Sequence, residues 1–244
     1  MPFLYITLQA KGGVGKSYVS STLAQYFIER GRQVQCIDTD TTNPTLLRYE
    51  SLNCDYLALS QDNVVNPRAF DHLVERLASV PADTHVVVDV GSNGFQAFMA
   101  YAVENDLFAM LQSQGVRVIL NTVIAGGPDA AETLHSTQAL LEHTTTLALP
   151  TLIWLNAHLG SLEFNRQPIV EMELFRIHAA RLLGWVTLPQ YTAQTFGQDV
   201  EQMLKQRWTF QDAHERLTLM PQRRLLKVKE ALWVQLDRIF AAER

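Results

Sequence analysis

Residues 3–17 read Phe3-Leu4-Tyr5-Ile6-Thr7-Leu8-Gln9-Ala10-Lys11-Gly12-Gly13-Val14-Gly15-Lys16-Ser17. The first six form an apolar run of strand length, and a helical pattern follows from Ser17 to about residue 30. Between them, three glycines let the backbone curl so that successive N–H groups converge on one point with no Cβ in the way. The helix that follows adds the positive end of its dipole. Strand, glycine turn, Lys-Ser and helix, in that order, describe a loop that binds phosphate. Gly12, Gly13, Val14, Gly15 and Tyr18 surround the phosphates, Lys16 bridges the β- and γ-phosphates, and the Ser17 hydroxyl ligates Mg2+.

Outward from this loop, short β-branched or aromatic runs alternate with helical patterns. The runs cover residues 3–8, 34–37, 85–89, 116–123, 152–156 and 185–188; the helical patterns cover 17–30, 68–79, 95–112, 129–143, 169–183 and 200–206. This alternation predicts an α/β fold, a doubly wound and mainly parallel sheet with helices on both faces. No repeat, low-complexity tract or Gly/Ser linker interrupts the chain, so one domain is expected over 1–244, with 219–244 a C-terminal amphipathic helix. In such folds ligands sit beyond the carboxyl ends of the strands.

Chemistry-bearing residues recur at those ends. The second strand closes in Cys36-Ile37-Asp38-Thr39-Asp40, two carboxylates at i and i+2 that face the same way. The run His85-Val86-Val87-Val88-Asp89 leads into Val90-Gly91-Ser92-Asn93-Gly94, a strand whose terminal Asp89 would hold Mg2+ through water, followed by a loop with glycines on which to move. Leu152-Ile153-Trp154-Leu155-Asn156 ends in an amide, donor and acceptor together, which suits the edge of a purine.

Lys11 sharpens the reading. With a second lysine ahead of the glycines, residues 11–17 closely resemble the deviant Walker A motif of the ParA/MinD superfamily of P-loop ATPases. The resemblance implies ATP and Mg2+ as cofactors, slow hydrolysis and a homodimer when ATP is bound, in which Lys11 reaches the phosphates of the other subunit. It implies further that Asp38 lies near the Mg2+ waters, that Asp40 orients the attacking water, that Asn156 contacts adenine, and that Pro189-Gln190-Tyr191 covers the base. Along most of the chain, Leu8-Gln9-Ala10-Lys11, Asp38-Thr39-Asp40, Leu155-Asn156 and residues 201–210, with Leu204, Arg207 and Thr209, look like the TraL group of conjugal transfer proteins. That likeness implies an accessory ATPase of plasmid transfer or maintenance, working with relaxosome or other transfer proteins. Two rivals remain open: an ATP-dependent ligase of the dethiobiotin-synthetase kind, and a nucleotide-binding scaffold without turnover, against which Asp40 argues.

Composition bounds the rest. With 244 residues, 47% apolar and 18% charged, the chain is that of a folded protein and excludes disorder and fibre. Cys36 and Cys54 make no C-x-x-C pair, the N-terminus lacks a secretory pattern and no apolar run is of bilayer length, so a cytoplasmic location is expected. The seven histidines show no metal-site spacing. Charge is uneven: the last forty residues hold nine basic against five acidic groups, the first 204 eleven against twenty. A basic C-terminal segment, Lys205, Arg207, Arg223, Arg224, Lys227 and Lys229, therefore predicts weak nonspecific DNA binding by the dimer. A membrane would attract the same residues, but a closing helix with a solvated basic face is the preferred reading over a membrane anchor.

Overall fold

The alternating pattern condenses around one sheet. The computed structural model describes residues 1–61, 64–65 and 67–241. In chain order the elements are β1 (Phe3–Thr7), α1 (Lys16–Glu29), β2 (Gln33–Asp38), β3 (Asp55–Tyr56), β4 (Ser60–Gln61), β5 (Val64–Val65), α2 (Pro67–Ala78), β6 (Thr84–Asp89), α3 (Phe95–Glu104) and α4 (Leu107–Ser113). They continue with β7 (Arg117–Ala125), α5 (Ala130–His143), β8 (Thr151–Asn156), β9 (Glu163–Phe164), β10 (Gln167–Pro168), α6 (Glu173–Ile177), β11 (Leu182–Leu188), α7 (Gln198–Lys205), α8 (Phe210–Arg216) and α9 (Leu219–Phe240). Seven strands form the main sheet in the order β11-β8-β7-β1-β6-β2-β3. Every pairing within it is parallel.

Alternation along the strands sorts side chains to two faces. Tyr5, Val87, Ile119, Trp154 and Val186 pack under α1, α7, α8 and α9, where Leu23, Met203, Phe210, Leu225, Leu232 and Leu236 are buried. Leu4, Ile6, Val86, Val88, Val118 and Leu120 face α2, α3 and α4. Farther along that second face, Ile124, Ile153 and Leu155 meet α5 and α6. The sheet is thus covered on both sides, which is why its strands read as nearly continuous apolar runs. A polar exception is paired: the Trp154 indole N–H donates to Asn121 Oδ1 at 3.2 Å.

Register places the chemistry. Thr7 lies opposite Asp89, and Asp38 lies opposite the same Asp89 across the β2–β6 pair. The chain passes to one side of β1 for β2 and β6 and to the other for β7, β8 and β11, so β1 is the switch point where a crevice opens.

The helical patterns at 95–112 and 169–183 do not survive as single helices. The first divides into α3 and α4, with Asp106 between them in the left-handed region (φ 47). Asp tolerates that conformation better than most residues. The second breaks into 3-10 turns at Ile169–Glu171 and Ala179–Arg181 around the five-residue α6, and β11 begins at Leu182. Buried Arg181 explains the break: its guanidinium donates to Thr144 Oγ1 at 2.7 Å and to the Leu141 carbonyl at the end of α5. A tertiary contact there outweighs the local helical preference. Several short elements escape the sequence pattern: the two-residue edge strand β3, the two-residue strands β4, β5, β9 and β10, and the short α8, which starts with a capping box between Thr209 and Asp212. The C-terminal helix ends at Phe240; residues 242–244 of the expected 219–244 segment, with the charges of Glu243 and Arg244, lie outside the described residues.

Candidate functional site

β1 leads into the glycine loop through Gln9, which is fully buried. Its Nε2 donates to the Val123 carbonyl at 2.7 Å and the Thr133 carbonyl at 3.2 Å. Its Oε1 accepts from Ser136 Oγ and from the Lys11 N–H. Gln9 therefore ties the start of the loop to β7 and α5, a role its sequence position alone does not reveal. Gly13 and Gly15 take left-handed angles (φ 76 and 104). A Cβ at Gly13 would meet nothing within 4 Å, so the curl of the loop opens onto free space as a phosphate cradle requires. Val14 is buried and roots the loop in the core.

Lys16, at the start of α1, is only 7% exposed, and its Nζ donates to the Lys11 carbonyl at 2.9 Å. Burial holds its ammonium below the usual lysine range, partly offset by the charges of Asp89 and Asp40. The Ser17 hydroxyl interacts with the Asp89 carboxyl. Ser20 Oγ also donates to Asp89 at 3.2 Å and lies 2.8 Å from Thr7 Oγ1, from whose hydroxyl it can accept. Burial first, then the neighbouring charge of Asp38, pushes Asp89 up to about 7. Two carboxyls and a hydroxyl crowded at a loop lined with N–H donors form a set of hard oxygen donors, and that set fits Mg2+ with phosphate.

Asp38 and Asp40 serve their own loop as well. Asp38 Oδ1 accepts from the Asp40 N–H and Oδ2 from the Leu47 N–H, both at 2.9 Å. Burial raises its pKa. Asp40 Oδ1 accepts from the N–H groups of Thr42 and Asn43, each at 2.9 Å. The loop after β6 presses on it: a Cβ at Gly91 would stand 2.7 Å from the Asp40 side chain. Thr39 donates to the Asp89 carbonyl and Asn93 to Thr42 Oγ1 at 3.1 Å. The loops after β2 and β6 are therefore joined by hydrogen bonds and close packing.

Lys11 lies at the rim, 31% exposed, paired with Asp129 at 3.3 Å and Glu132 at 2.8 Å. Those hydrogen bonds, with the two negative charges, raise its pKa. Asn156 turns inward. Its Nδ2 donates to the Val14 carbonyl at 2.9 Å and its Oδ1 accepts from the His158 N–H at 3.1 Å, so the amide expected at a base braces the glycine loop. Beside it opens a cavity of about 520 Å3 lined by Gly15, Tyr18, Asn156, Pro189, Tyr191 and Arg207.

The structure thus brings Lys11, Lys16, Ser17, Asp38, Asp40 and Asp89 to one end of the sheet, with Tyr18, Asn156 and Pro189 around the adjoining cavity. Sequence reading did not assign roles to Gln9, Ser20, Asp129 and Glu132. Gln9 and Ser20 flank the loop in the chain, but their partners on β7, α5 and β6 do not, and strand order alone brings Asp129 and Glu132 to the loop.

The basic segment is less available than its composition suggests. Arg224 pairs with Asp199, and Lys229 with Glu29 at 3.0 Å. Lys205, Arg223 and Lys227 stand exposed, and Lys205 lines the cavity together with the half-buried Arg207.

A parallel sheet, a switch point at β1 and a glycine loop leading into α1 define a P-loop nucleotide-binding domain. The chain belongs to the family described as the CobQ/CobB/MinD/ParA nucleotide binding domain, which matches it over residues 5–206. It is 34% identical over 239 residues to Protein TraL of Escherichia coli, covering 97% of this chain and 98% of the relative. Among solved structures it is similar to the septum site-determining protein MinD of Pyrococcus horikoshii complexed with Mg-ADP (TM-score 0.58, 15% identity, 100% of this chain and 99% of that one). It also resembles a ParA family ATPase of Chlorobium tepidum (TM-score 0.50, 14% identity, 94% of this chain and 97% of that one). No helix among the described residues is long and apolar enough to cross a membrane.

Proposed function

We propose that the whole chain acts as one P-loop domain, a molecular switch that dimerises on ATP and hydrolyses Mg-ATP slowly in plasmid conjugal transfer or maintenance. The observation that carries this reading is the convergence of Lys16, Ser17 and Asp89 at the glycine loop, joined through register to Asp38 and the Asp40 loop. Loop N–H groups and Lys16 would hold the phosphates, and Ser17 and Asp89 would hold Mg2+. Mg2+, when bound, neutralises charge on the phosphates. Asp38 keeps the loop in place through its two backbone acceptor contacts, and Asp40 Oδ2 orients the attacking water. Membership of the family and the likeness to TraL support the plasmid role, with relaxosome or other transfer proteins as partners. With Arg224 and Lys229 paired internally, DNA contact by the dimer falls to Lys205, Arg223 and Lys227.

The test of turnover is Asp40→Asn, which keeps the Oδ1 acceptor of the loop and removes the charge. It should bind Mg-ATP as the wild type does and lose phosphate release by roughly 100-fold. Full activity would move the role to Asp38 or to a partner.

Dimerisation is tested through Lys11. To reach a second subunit, its ammonium must leave Asp129 and Glu132. Both pairs are solvent-exposed and cost little to break. In sedimentation with Asp40→Asn to block turnover, ATP should convert monomer to dimer, and Lys11→Ala should remain monomeric while still binding nucleotide. A dimer formed without nucleotide and surviving Lys11→Ala would refute this part of the reading.

A further inference from the structure

Arg207 belongs to the stretch 201–210 that carries part of the likeness to TraL, yet the phosphate chemistry makes no use of it. Its place in the fold is unusual. It follows α7 with φ 57, the left-handed region in which a helix normally ends on glycine because a Cβ is disfavoured there. The turn is otherwise a regular helix end, with the Trp208 N–H donating to the Met203 carbonyl at 3.0 Å. Arg207 is half-buried, and the turn places its side chain beside the glycine loop.

That place is the cavity beside the glycine loop, where Arg207 is a lining residue together with Gly15, Tyr18 and Tyr191. The guanidinium is anchored at one edge. Its Nη1 donates to the Leu204 carbonyl at 2.5 Å, and it interacts with the hydroxyl of buried Tyr49. A guanidinium has five N–H donors in a rigid plane, so this anchoring orients the fork and leaves donors over. The amide of Asn156 spends one N–H on Val14 and one lone pair on His158, leaving one donor and one acceptor site beside the donor-only Arg207. A ligand in this cavity therefore meets an oriented, donor-only group at Arg207.

We propose that Arg207 contacts the base of the bound nucleotide, donating to ring-nitrogen acceptors of a purine, and so sets the affinity for nucleotide over bare polyphosphate. The proposal rests on the reading of the loop and cavity as a nucleotide site. Lys16 and the glycine loop hold the phosphates; Arg207 adds the recognition of what the phosphates are attached to. Through Tyr49 the same residue also touches the segment next to Leu47, whose N–H is held by Asp38.

The experiment is calorimetry with Mg-ATP and with Mg-tripolyphosphate, which carries no base, on the wild type, Arg207→Ala, Arg207→Gly and Lys16→Ala. Arg207→Gly relieves the left-handed residue, so loss of binding in it does not stem from a strained helix end. The wild type should bind ATP at least about tenfold more tightly than tripolyphosphate. Both Arg207 variants should lose most of that margin with tripolyphosphate affinity unchanged, whereas Lys16→Ala should lose both ligands. The proposal is overturned if the Arg207 variants keep the wild-type margin, if both ligands weaken equally in them, or if the wild type shows no margin while still binding tripolyphosphate. A wild type that binds neither ligand would instead remove the nucleotide-site reading on which the proposal stands.

Discussion

Lys16→Ala is expected to lose at least roughly 100-fold in affinity for Mg-ATP, the scale of one to two charge-assisted contacts to phosphate. The rest of the cradle is backbone dipoles, which position a phosphate but supply no full charge. The 7% exposure of Lys16 matters here, because an ammonium out of water meets its partner with little screening. In the free protein its Nζ donates to the Lys11 carbonyl. Removing the side chain frees that rim carbonyl and relieves the burial that lowers the lysine pKa, so the free protein should melt close to the wild type. The readout is then clean. At a nucleotide concentration 100 times the dissociation constant, wild type gains about 2.7 kcal/mol and its melting temperature rises by roughly 5–11 °C. The variant should rise by no more than about 1–2 °C, and an undiminished rise would refute the assignment of Lys16.

The second large effect is structural, at the joint between two loops of the site. A Cβ on Gly126 would lie 2.1 Å from the Gly160 carbonyl oxygen and 2.9 Å from that of Ser161. Both obstacles are backbone and cannot rotate away. The same joint is fastened by the Gly126 N–H to the Asn156 carbonyl at 3.0 Å and the Gly127 N–H to the Ser161 carbonyl at 2.9 Å. Gly126→Ala should therefore separate the loop after β7 from the loop after β8 at a cost on the order of 3 kcal/mol. That lowers the melting temperature by roughly 6–12 °C. Because Asn156 braces Val14 and the neighbouring loop carries Asp129, the displacement reaches the glycine loop from one side and Lys11 from the other. Nucleotide affinity should fall along with stability. A variant that melts as the wild type does would show that the two loops adjust independently.

The legible part of the site is the part made of consecutive residues. The turn at 11–17 is a backbone device whose glycines, lysine and serine must be adjacent to work, so adjacency in the chain reveals them. Asp38 and Asp89 are legible for a related reason: each ends an apolar run, and strand ends are where such folds bind. Asn156 shows where this logic stops. Its position at the end of β8 follows from the run 152–156, but the partner of its amide in the free protein, Val14, is 142 residues away, beyond what the run can tell. Cys36 and Cys54, unrelated in sequence spacing, immediately precede the paired residues Ile37 and Asp55 of adjacent strands, and burial pushes the Cys36 thiol up to about 12.

By itself the sequence determined the class of fold, the glycine loop and six of the seven strands of the main sheet, because period, glycine turns and apolar runs are local and report on the backbone that contains them. Only the tertiary structure decided the partners: Lys11 with Asp129 and Glu132, Gln9 with Ser136, Arg224 with Asp199, Arg207 with Tyr49 and the cavity. The physical reason is that a side chain's partner depends on sheet order, on register and on which groups remain unsatisfied when two elements meet. Arg181 could have left its stretch a helix, as its pattern asks, had the carbonyls at the end of α5 lain elsewhere.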